Sequence, residues 1–252
     1  MSAPEYVTGH GLLAGKRVLI TAAAGSGIGS ATARRCVEEG ATVMISDRHE
    51  RRLAETAAEL GVASVTCDVT DEASVQAMFA AAADTLGGID VLVNNAGLGG
   101  SAKVHEMTDE QWSTVLDITL NGTFRCTRAA LRVMYDAGGG VIVNNASVLG
   151  WRAQADQAHY AAAKAGVMAL TRCAAIEAAP HGVRVNAVAP SIAMDANLAK
   201  VTSDELLAEL ESREAFGRAA EPWEVANVIV FLASDYSSYM TGEIVSVSSQ
   251  HP

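Results

Sequence analysis

Short apolar runs alternate with helically spaced segments along almost the whole chain. The run 17–21 is apolar and ends in small residues and glycines, which predicts a buried strand entering a turn, and helical spacing follows over 28–39. Gly40 is placed to end that helix, and the β-branched run 41–46 stops at Asp47. The same alternation predicts further helices over 50–60, 72–86, 109–136, 157–179 and 222–233, and further strands over 62–66, 89–93, 140–146, 183–188 and 243–247. Strands that are apolar on both faces and are separated by helices favour a parallel α/β sheet covered on both sides.

One segment interrupts this rhythm and predicts an insertion. Residues 191–221 lie between a strand and a helix and contain a short helical pattern near 203–211, where Thr202 and Glu205 are spaced as a capping box. Because open α/β sheets bind ligands at the carboxyl ends of their strands, the insertion is a candidate lid over such a site. A solvated helical excursion is the alternative.

The composition is that of one ordinary globular domain, and it narrows the classes of partner. Of the 252 residues, 50% are hydrophobic and 19% are charged, which excludes a disordered acidic protein and a disulfide-stapled secreted module. We therefore expect an N-terminal arm over 1–14 and a single domain over 15–252. A chain with a formal net charge of -11 would be repelled by phosphate backbones, so we expect no nucleic-acid partner.

The cysteines and the lack of a long apolar run bear on the compartment. Cys36, Cys67, Cys126 and Cys173 are far apart in sequence, without the close pairs that zinc sites or redox loops use, so we expect four small core residues and no metal site. No apolar run reaches the roughly 18 residues that span a bilayer, and residues 1–15 lack a basic start followed by an apolar segment. We therefore expect a cytoplasmic protein without membrane contact.

A glycine-rich turn between the first strand and the first helix is the first candidate binding site. Glycine backbone there would let a diphosphate approach the amide groups at the start of the helix. The alternative is a purely structural role, in which the glycines form a tight turn and Asp47 caps a helix. The Asp47 carboxylate can accept hydrogen bonds from both ribose hydroxyls of an adenosine and would repel a 2′-phosphate, which favours NAD over NADP. Arg48, Arg51 or Arg52 could instead turn toward such a phosphate. The turn residues are Gly25, Ser26, Gly27, Ile28 and Gly29.

Residues after the third and fourth predicted strands extend this candidate site. Asp68 and Val69 follow the third strand and are placed to touch an adenine ring. A polar, turn-prone motif follows the fourth strand and consists of Asn94, Asn95, Ala96 and Gly97. Each of the two by itself is also consistent with a simple strand-ending turn.

Tyr160 and Lys164 lie four residues apart in a strongly helical segment, so their side chains share one helix face. A nearby ammonium favours the phenolate, which predicts that the pKa of Tyr160 is lowered from about 10 toward neutrality. Ser147 ends an apolar strand 13 residues before Tyr160, so the strand end and the helix start can converge. Hydride transfer at a carbinol carbon needs a proton moved on or off its oxygen, and a tyrosine tuned near working pH supplies it.

The glycine turn, the motif 94–97, Ser147, Tyr160 and Lys164 together resemble the short-chain dehydrogenase/reductase family over nearly the whole chain. The resemblance implies a single Rossmann-type doubly wound parallel sheet and hydride transfer between NAD(P) and a secondary alcohol or ketone. It also implies Tyr160 as general acid/base, Ser147 as the group that polarises the substrate oxygen, and Lys164 as a ligand of the nicotinamide ribose. Asn121 matches the family's fourth catalytic residue, which holds a water linked to the lysine.

The chain departs from the family pattern at both ends of the cofactor site. The family's turn usually reads Thr-Gly-x-x-x-Gly-x-Gly, whereas this chain has one extra residue and an alanine near the expected first glycine. An alanine at positive φ would be strained by roughly 1 to 2 kcal/mol, so we expect the insertion to reroute the backbone and Gly25 to approach the diphosphate. After Pro190 the family's usual Gly and Thr are missing, which leaves the backbone of Ile192 as the expected contact of the nicotinamide carboxamide.

The residues that follow Ser147 are candidates for the substrate site. Trp151 and Arg152 could supply an apolar wall and an anion contact for a bulky or thioester substrate, or could pack on the loop and face solvent. Leu149 and Gln157 complete the candidate set with Ser147 and Tyr160. Four stretches resemble actinobacterial family members that act on ring-containing CoA thioesters in steroid degradation, namely 144–153, 159–164, 217–225 and 234–239. The alternatives are a 3-oxoacyl-thioester reductase and a non-catalytic NAD-binding sensor or scaffold.

Small residues on the predicted helices 109–136 and 157–179 favour self-association. Ala161, Ala165 and Ala169 lie at spacings that let a second helix approach closely. We expect a homodimer or homotetramer that buries these two helices, and an alanine-rich chain with no such interface is the alternative.

Overall fold

A single parallel sheet of seven strands organises the computed structural model, which describes residues 2–194 and 204–250. Their spatial order is β3-β2-β1-β4-β5-β6-β7, and every neighbouring pair is parallel. The chain therefore fills one half of the sheet from β1 outward and then returns to start the other half with β4. The strands are β1 (Arg17–Ile20), β2 (Thr42–Asp47), β3 (Ala63–Thr66), β4 (Val91–Asn94), β5 (Gly140–Asn145), β6 (Val183–Pro190) and β7 (Ile244–Val247).

Helices cover both faces of this sheet, which confirms the predicted doubly wound α/β fold. Strand side chains are buried on both sides and contribute to two core clusters, one that includes Leu19 and Leu92 and one that includes Val18 and Val91. This two-sided burial explains the continuous apolar runs in the sequence. The helices are α1 (Ile28–Glu38), α2 (Glu50–Leu60), α3 (Glu72–Leu86), α4 (Asp109–Leu116), α5 (Gly122–Ala137), α6 (Ala158–Ala178), α7 (Asp204–Ser212) and α8 (Pro222–Ala233).

The predicted helix 109–136 is wrong in one respect that matters for the site. A π-helical turn over Asp117–Asn121 separates α4 from α5, and its backbone makes i to i+5 hydrogen bonds. Such a turn inserts one extra residue into a helix, which no periodicity of apolar residues signals. Other boundaries differ by one or two residues, because pairing with neighbours starts β4 at Val91 and extends β6 to Pro190.

The structure also bears on the predictions about the cysteines and about membrane-spanning helices. Cys36, Cys67 and Cys126 are buried, but Cys173 is exposed on α6, so the prediction of four core cysteines is wrong for Cys173. No helix among residues 2–194 and 204–250 is long and apolar enough to cross a membrane.

The predicted insertion 191–221 is described only in part. Residues 195–203, including Thr202 of the predicted capping box, lie outside the described residues. Before them, Ala193 pairs with Ala220 in an isolated parallel bridge, and after them comes α7.

Candidate active site

A cleft of about 1250 Å³ opens at the carboxyl ends of the strands. It lies where the chain leaves β1 toward one half of the sheet and β4 toward the other, which is the position at which open α/β sheets bind ligands. The residues that line it include most of the predicted cofactor residues together with Tyr160 and Lys164. These lining residues are Gly27, Ile28, Gly29, Asp47, Arg48, Asp68, Val69, Asn95, Ala96, Gly97, Tyr160 and Lys164. Ala22 and Ala24, which were not predicted, also line the cleft.

The residues of the glycine-rich turn that face this cleft differ from those predicted. Ala22 has φ of 51°, in the left-handed region, so the expectation that the inserted residue relieves an alanine at positive φ is wrong. The N–H of Gly25 is used inside the protein, where it donates to Thr56 Oγ1 at 3.0 Å. Gly25 and Ser26 line a separate hollow of about 320 Å³ beside Tyr6. The part of the turn that faces the cleft is therefore Ala22, Ala24 and 27–29.

The start of α1 lies directly against this turn. A Cβ on Gly29 would lie 2.5 Å from the carbonyl oxygen of Ala22 and 2.5 Å from Nδ2 of Asn95, so only glycine fits. Asn95 Nδ2 donates to that same Ala22 carbonyl at 2.8 Å. Asn145 Nδ2 in turn donates to Asn95 Oδ1 at 2.9 Å, which links the turn to the end of β5.

Two carboxylates stand at the far end of the cleft. Asp47 ends β2, and its oxygens accept from the N–H groups of Ala24 at 3.3 Å and His49 at 2.9 Å. Asp68 accepts from the N–H and the hydroxyl of Thr70, and these hydrogen bonds lower the pKa of its carboxyl group. Asp47 is therefore held by the turn after β1 and the loop after β2, and Asp68 by the loop after β3.

Ser147, Tyr160 and Lys164 converge beside the cleft, as expected from their spacing. Ser147 follows β5 and Tyr160 lies in the first turn of α6, where a hydrogen bond links the two side chains. Lys164 is buried, its ammonium lies 5.6 Å from the centre of the Tyr160 ring, and it donates to the main-chain oxygen of Asn145. A tyrosine with a serine and a lysine at this spacing can move a proton to or from an oxygen atom bound between them.

The electrostatics of this trio differ from expectation. Burial raises the pKa of Tyr160 above its ordinary 10, and the hydrogen bond from Ser147 only partly offsets this effect. Burial also lowers the pKa of Lys164, to about 8. The predicted shift of Tyr160 toward neutrality also invoked a cationic nicotinamide. The chain's own residues by themselves leave the pKa of Tyr160 raised, because the buried ammonium is directed to a carbonyl and desolvation dominates for both groups.

Asn121, the predicted fourth catalytic residue, does not reach the cleft. It is exposed, and its Nδ2 donates to Asp117 Oδ1 at 3.1 Å on the outer side of the π-helical turn. The residue of that turn which lies near Lys164 is Thr119, because Gly97 stands between the two. Sequence reasoning missed Thr119 because a threonine in an apolar helical run is an ordinary core residue, and the π turn that changes its direction is invisible in the pattern.

Only some of the predicted substrate and carboxamide residues line the cleft. Leu149 and Gln157 line the cleft, whereas Trp151 is half exposed and is not among the lining residues. Arg152 is engaged by Gln250, whose side-chain and main-chain oxygens both accept from its guanidinium. Near the nicotinamide end, neither Pro190 nor Ile192 lines the cleft, and the Ile192 carbonyl accepts from Ala220 N–H at 2.9 Å.

Comparison with known proteins identifies the family. A family model described as enoyl-(acyl carrier protein) reductase matches residues 22–249. A crystal structure of a short-chain dehydrogenase from Mycobacterium smegmatis superposes with a TM-score of 0.90 at 60% identity, covering 100% of this chain and 99% of that one. The chain belongs to the short-chain dehydrogenase/reductase family. It is an NAD(P)-dependent oxidoreductase, and the tyrosine, serine and lysine described above are its candidate proton-transfer residues.

Two named enzymes of this family cover almost the same length. A Mycobacterium tuberculosis protein named (5R,7aS)-5-hydroxy-7a-methyl-1-oxo-2,3,5,6,7,7a-hexahydro-1H-indene-carboxyl-CoA reductase is 65% identical, over 99% of this chain and 98% of its own. The cis-4-hydroxycyclohexanecarboxylate dehydrogenase of Sinomonas cyclohexanicum is 45% identical, over 92% of this chain and 95% of its own.

The cleft of this short-chain dehydrogenase/reductase fits a nicotinamide dinucleotide. The turn at 27–29 presents bare backbone at the start of an eleven-residue helix, and a carboxylate stands at the end of β2 for a ribose. At the other end, Asn145 keeps a buried amide oxygen that lacks a hydrogen-bond partner among the described residues. A buried acceptor of this kind is satisfied when a donor group binds beside it. The glycine turn, the carboxylate of Asp47 and the amide oxygen of Asn145 are therefore groups that could hold a nicotinamide dinucleotide.

Proposed function

We propose that this enzyme transfers a hydride between nicotinamide and a ring carbon of a carboxyl-CoA thioester derived from a partly degraded steroid. The observation that carries the proposal is the 65% identity to the M. tuberculosis reductase over essentially the full length of both chains. The names of both curated relatives contain a hydroxylated carbocycle that bears a carboxyl group. The reacting pair is then a secondary alcohol and its ketone.

The substrate side of the cleft suits a rigid ring system. Its walls are the short helix after Ser147, the segment 153–157, and the loop 97–101, in which three of five residues are glycines. Walls with few side chains leave width for a bulky carbocycle. A carboxyl-CoA on such a ring would extend out of the cleft, past Leu210 and Arg213 of the α7 segment, which also line it.

Within this site, each member of the trio has a distinct role. When bound in this cleft, a nicotinamide dinucleotide would provide the hydride for reduction of the ketone and would take it up in oxidation of the alcohol. Tyr160 donates the proton to the substrate oxygen in reduction and accepts it in oxidation, while the Ser147 hydroxyl donates a hydrogen bond to that oxygen. Lys164 holds a positive charge beside the tyrosine ring and favours its deprotonated form once the substrate has taken the proton.

We further propose that NAD is the preferred cofactor. Asp47 is held at the end of β2 by two backbone N–H groups, so it cannot easily turn away from a ribose bound there. A fixed carboxylate accepts ribose hydroxyls and repels a 2′-phosphate. Arg48 and Arg52 line the same end of the cleft and are the residues that would accommodate NADP instead.

We also propose a homodimer or homotetramer assembled through α4, α5 and α6. These helices leave large apolar side chains in solvent, with Trp112 40%, Phe124 43% and Ile176 78% exposed. Ala165 and Ala169 are exposed on α6 and allow close approach of a second helix. Size-exclusion chromatography with mass measurement at micromolar concentration tests this assembly, and a mass near the 26.1 kDa of one chain would refute it.

Turnover measured at 340 nm tests the proposed reaction. The enzyme is given a bicyclic ring ketone carrying a carboxyl-CoA, the corresponding free acid, or acetoacetyl-CoA, each with NADH or NADPH. We expect the ring thioester with NADH to have the highest kcat/KM, at least about tenfold above acetoacetyl-CoA, a difference of about 1.4 kcal/mol in transition-state binding. A preference for acetoacetyl-CoA would instead indicate the 3-oxoacyl-thioester reductase.

Two tyrosine variants control for the site. Tyr160→Phe removes the proton donor and should lower kcat about 100-fold or more, while dinucleotide binding persists. Tyr6→Phe also removes a hydrogen-bonded phenol, the one that donates to Glu38 at 2.8 Å, but outside the cleft, and should leave kcat unchanged. Binding of NADH without oxidation against every ketone, together with an unaffected Tyr160→Phe variant, would indicate a sensor rather than an enzyme.

A further inference from the structure

The loop 97–101, which follows β4, forms a wall of the cleft with very little side-chain material of its own. All five of its residues line the cleft, and Gly97, Gly99 and Gly100 have no side chains with which to hold their backbone in place. Glycine loses more conformational freedom on ordering than any other residue. A wall made in this way keeps a defined position only if neighbouring residues hold it.

Thr119 holds this loop from the helical side. Its side chain is completely buried in the π-helical turn, and Oγ1 both accepts from Leu98 N–H at 3.0 Å and donates to the Leu98 carbonyl at 3.3 Å. One hydroxyl thus satisfies both polar groups of a single loop residue. Single π turns within helices occur frequently at functional sites, and here the turn contains the residue that contacts the loop.

The other contacts of the loop lead to the proton-transfer residues. The Gly100 carbonyl accepts from Gln157 Nε2 at 2.7 Å, and a Cβ on Gly100 would lie 2.8 Å from Nε2 of the buried His159. Gln157 and His159 are close neighbours of Tyr160 in the chain. At the start of the loop, a Cβ on Gly97 would lie 3.4 Å from Nζ of Lys164. The loop therefore lies between Thr119 on one side and the catalytic lysine and tyrosine segment on the other.

We infer that Thr119 is a positioning residue, which keeps the loop 97–101 packed against Lys164 and the start of α6 and so sets the width of the reaction pocket. The inference concerns the same site as the proposed function but does not depend on which ketone is the substrate. Thr119 itself is separated from the cleft by the loop and contacts it through Leu98 and Gly97. A misplaced wall should therefore lower the rate of the reaction more than it weakens dinucleotide binding, because rates depend steeply on the geometry of the reacting groups.

The test compares three threonine variants. Thr119→Val keeps the size of the side chain but removes both hydrogen bonds, and Thr119→Ser retains the hydroxyl. Thr123→Val is the matched control, since Thr123 is buried one helical turn later and donates only to the Thr119 carbonyl, at 2.8 Å. Hydrogen–deuterium exchange of the peptide that contains residues 97–101 is measured with NADH affinity, kcat and KM.

We expect Thr119→Val to increase amide exchange in the loop and to lower kcat about tenfold, with NADH affinity changed less than about threefold. Thr119→Ser should restore most of the rate, and Thr123→Val should stay within twofold of the parent. Unchanged loop exchange in Thr119→Val, an unchanged kcat, or an equal loss in Thr123→Val would each overturn the inference.

The assay uses whichever ketone the parent enzyme reduces, so a wrong substrate proposal leaves this test intact. If the parent reduces none of the ketones, the proposed reaction fails, and loop exchange in Thr119→Val against Thr123→Val still decides whether Thr119 holds the loop. Equal exchange in those two variants would then overturn the inference by itself.

Discussion

The left-handed backbone at Ala22 predicts that a glycine would be more stable there than the natural alanine. At φ of 51° an L side chain is crowded against its own backbone, which costs roughly 1 to 2 kcal/mol. Replacement by glycine removes this strain, but it adds about 0.4 to 1 kcal/mol of unfolded-state entropy and gives up part of one methyl group's burial. The net gain expected for Ala22→Gly is therefore small, about 0.5 kcal/mol.

A matched variant in the same turn isolates the strain. Ala24 is also half-buried but is not at positive φ. Ala24→Gly therefore adds the same unfolded-state entropy and loses a similar methyl burial, but it removes no backbone strain. The difference between the variants should then equal the strain itself, with Ala22→Gly about 1 to 2 kcal/mol more stable than Ala24→Gly. For a chain of this length that difference separates the two melting temperatures by roughly 2 to 8 °C.

Urea unfolding followed by circular dichroism measures this difference, provided that the dependence of the unfolding free energy on urea stays the same. Equal stability of Ala22→Gly and Ala24→Gly would show that the alanine is not strained.

Three other perturbations have expected outcomes. Burial lowers the pKa of Lys164 to about 8, so between about pH 8 and 10.5 the folded chain binds fewer protons than the unfolded chain. The free energy of unfolding should therefore rise over that range by up to about 3 kcal/mol. Urea unfolding measured at several pH values should show this rise in the parent and not in Lys164→Met. Glu39 is buried with Arg35, which also pairs with Glu38, and Glu39→Gln should cost about 2 to 3 kcal/mol by the same measurement at pH 7, because it removes one of the two counter-charges of a buried guanidinium. The hydrogen bonds and ion pair of Glu39 outweigh its burial and lower its pKa, so its contribution should be lost as the pH falls below about 4.5, and a stability that is unchanged on acidification would contradict it. Asp47→Asn keeps an acceptor but removes the charge, and the ratio of kcat/KM for NADH to that for NADPH should fall at least about tenfold; an unchanged ratio would show that the carboxylate does not select the cofactor.

Much of the architecture follows from local sequence pattern. Strands such as 18–20 and 91–93 are apolar on both faces because both faces are covered, and helices lie between them, so the α/β alternation and the parallel sheet were predictable. The convergence of Ser147 with Tyr160 was predictable for the same reason, since a short connection from a strand end to a helix start brings the two sites together.

The predictions that were wrong concern local backbone geometry that the apolar pattern does not record, or contacts between segments that are distant in the chain. Asn121 was assigned as the fourth catalytic residue from its resemblance to the family motif, but it lies outside the cleft, in a π turn that the apolar pattern does not record. Ala22 keeps a positive φ in the lengthened turn, where its carbonyl accepts from Asn95 in the loop after β4. Arg152 was assigned to the substrate, yet its partner is Gln250, 98 residues away.

The amino-acid sequence by itself determined the layered parallel fold, the edge of the sheet that carries the cleft, and the family to which the chemistry belongs. Tertiary structure alone decided the protonation tendencies of Tyr160 and Lys164 and the residues that hold the pocket walls. Periodicity and helix spacing are local and can be read along the chain. Desolvation and hydrogen bonding depend on every group packed nearby, and those groups come together only when the sheet is complete.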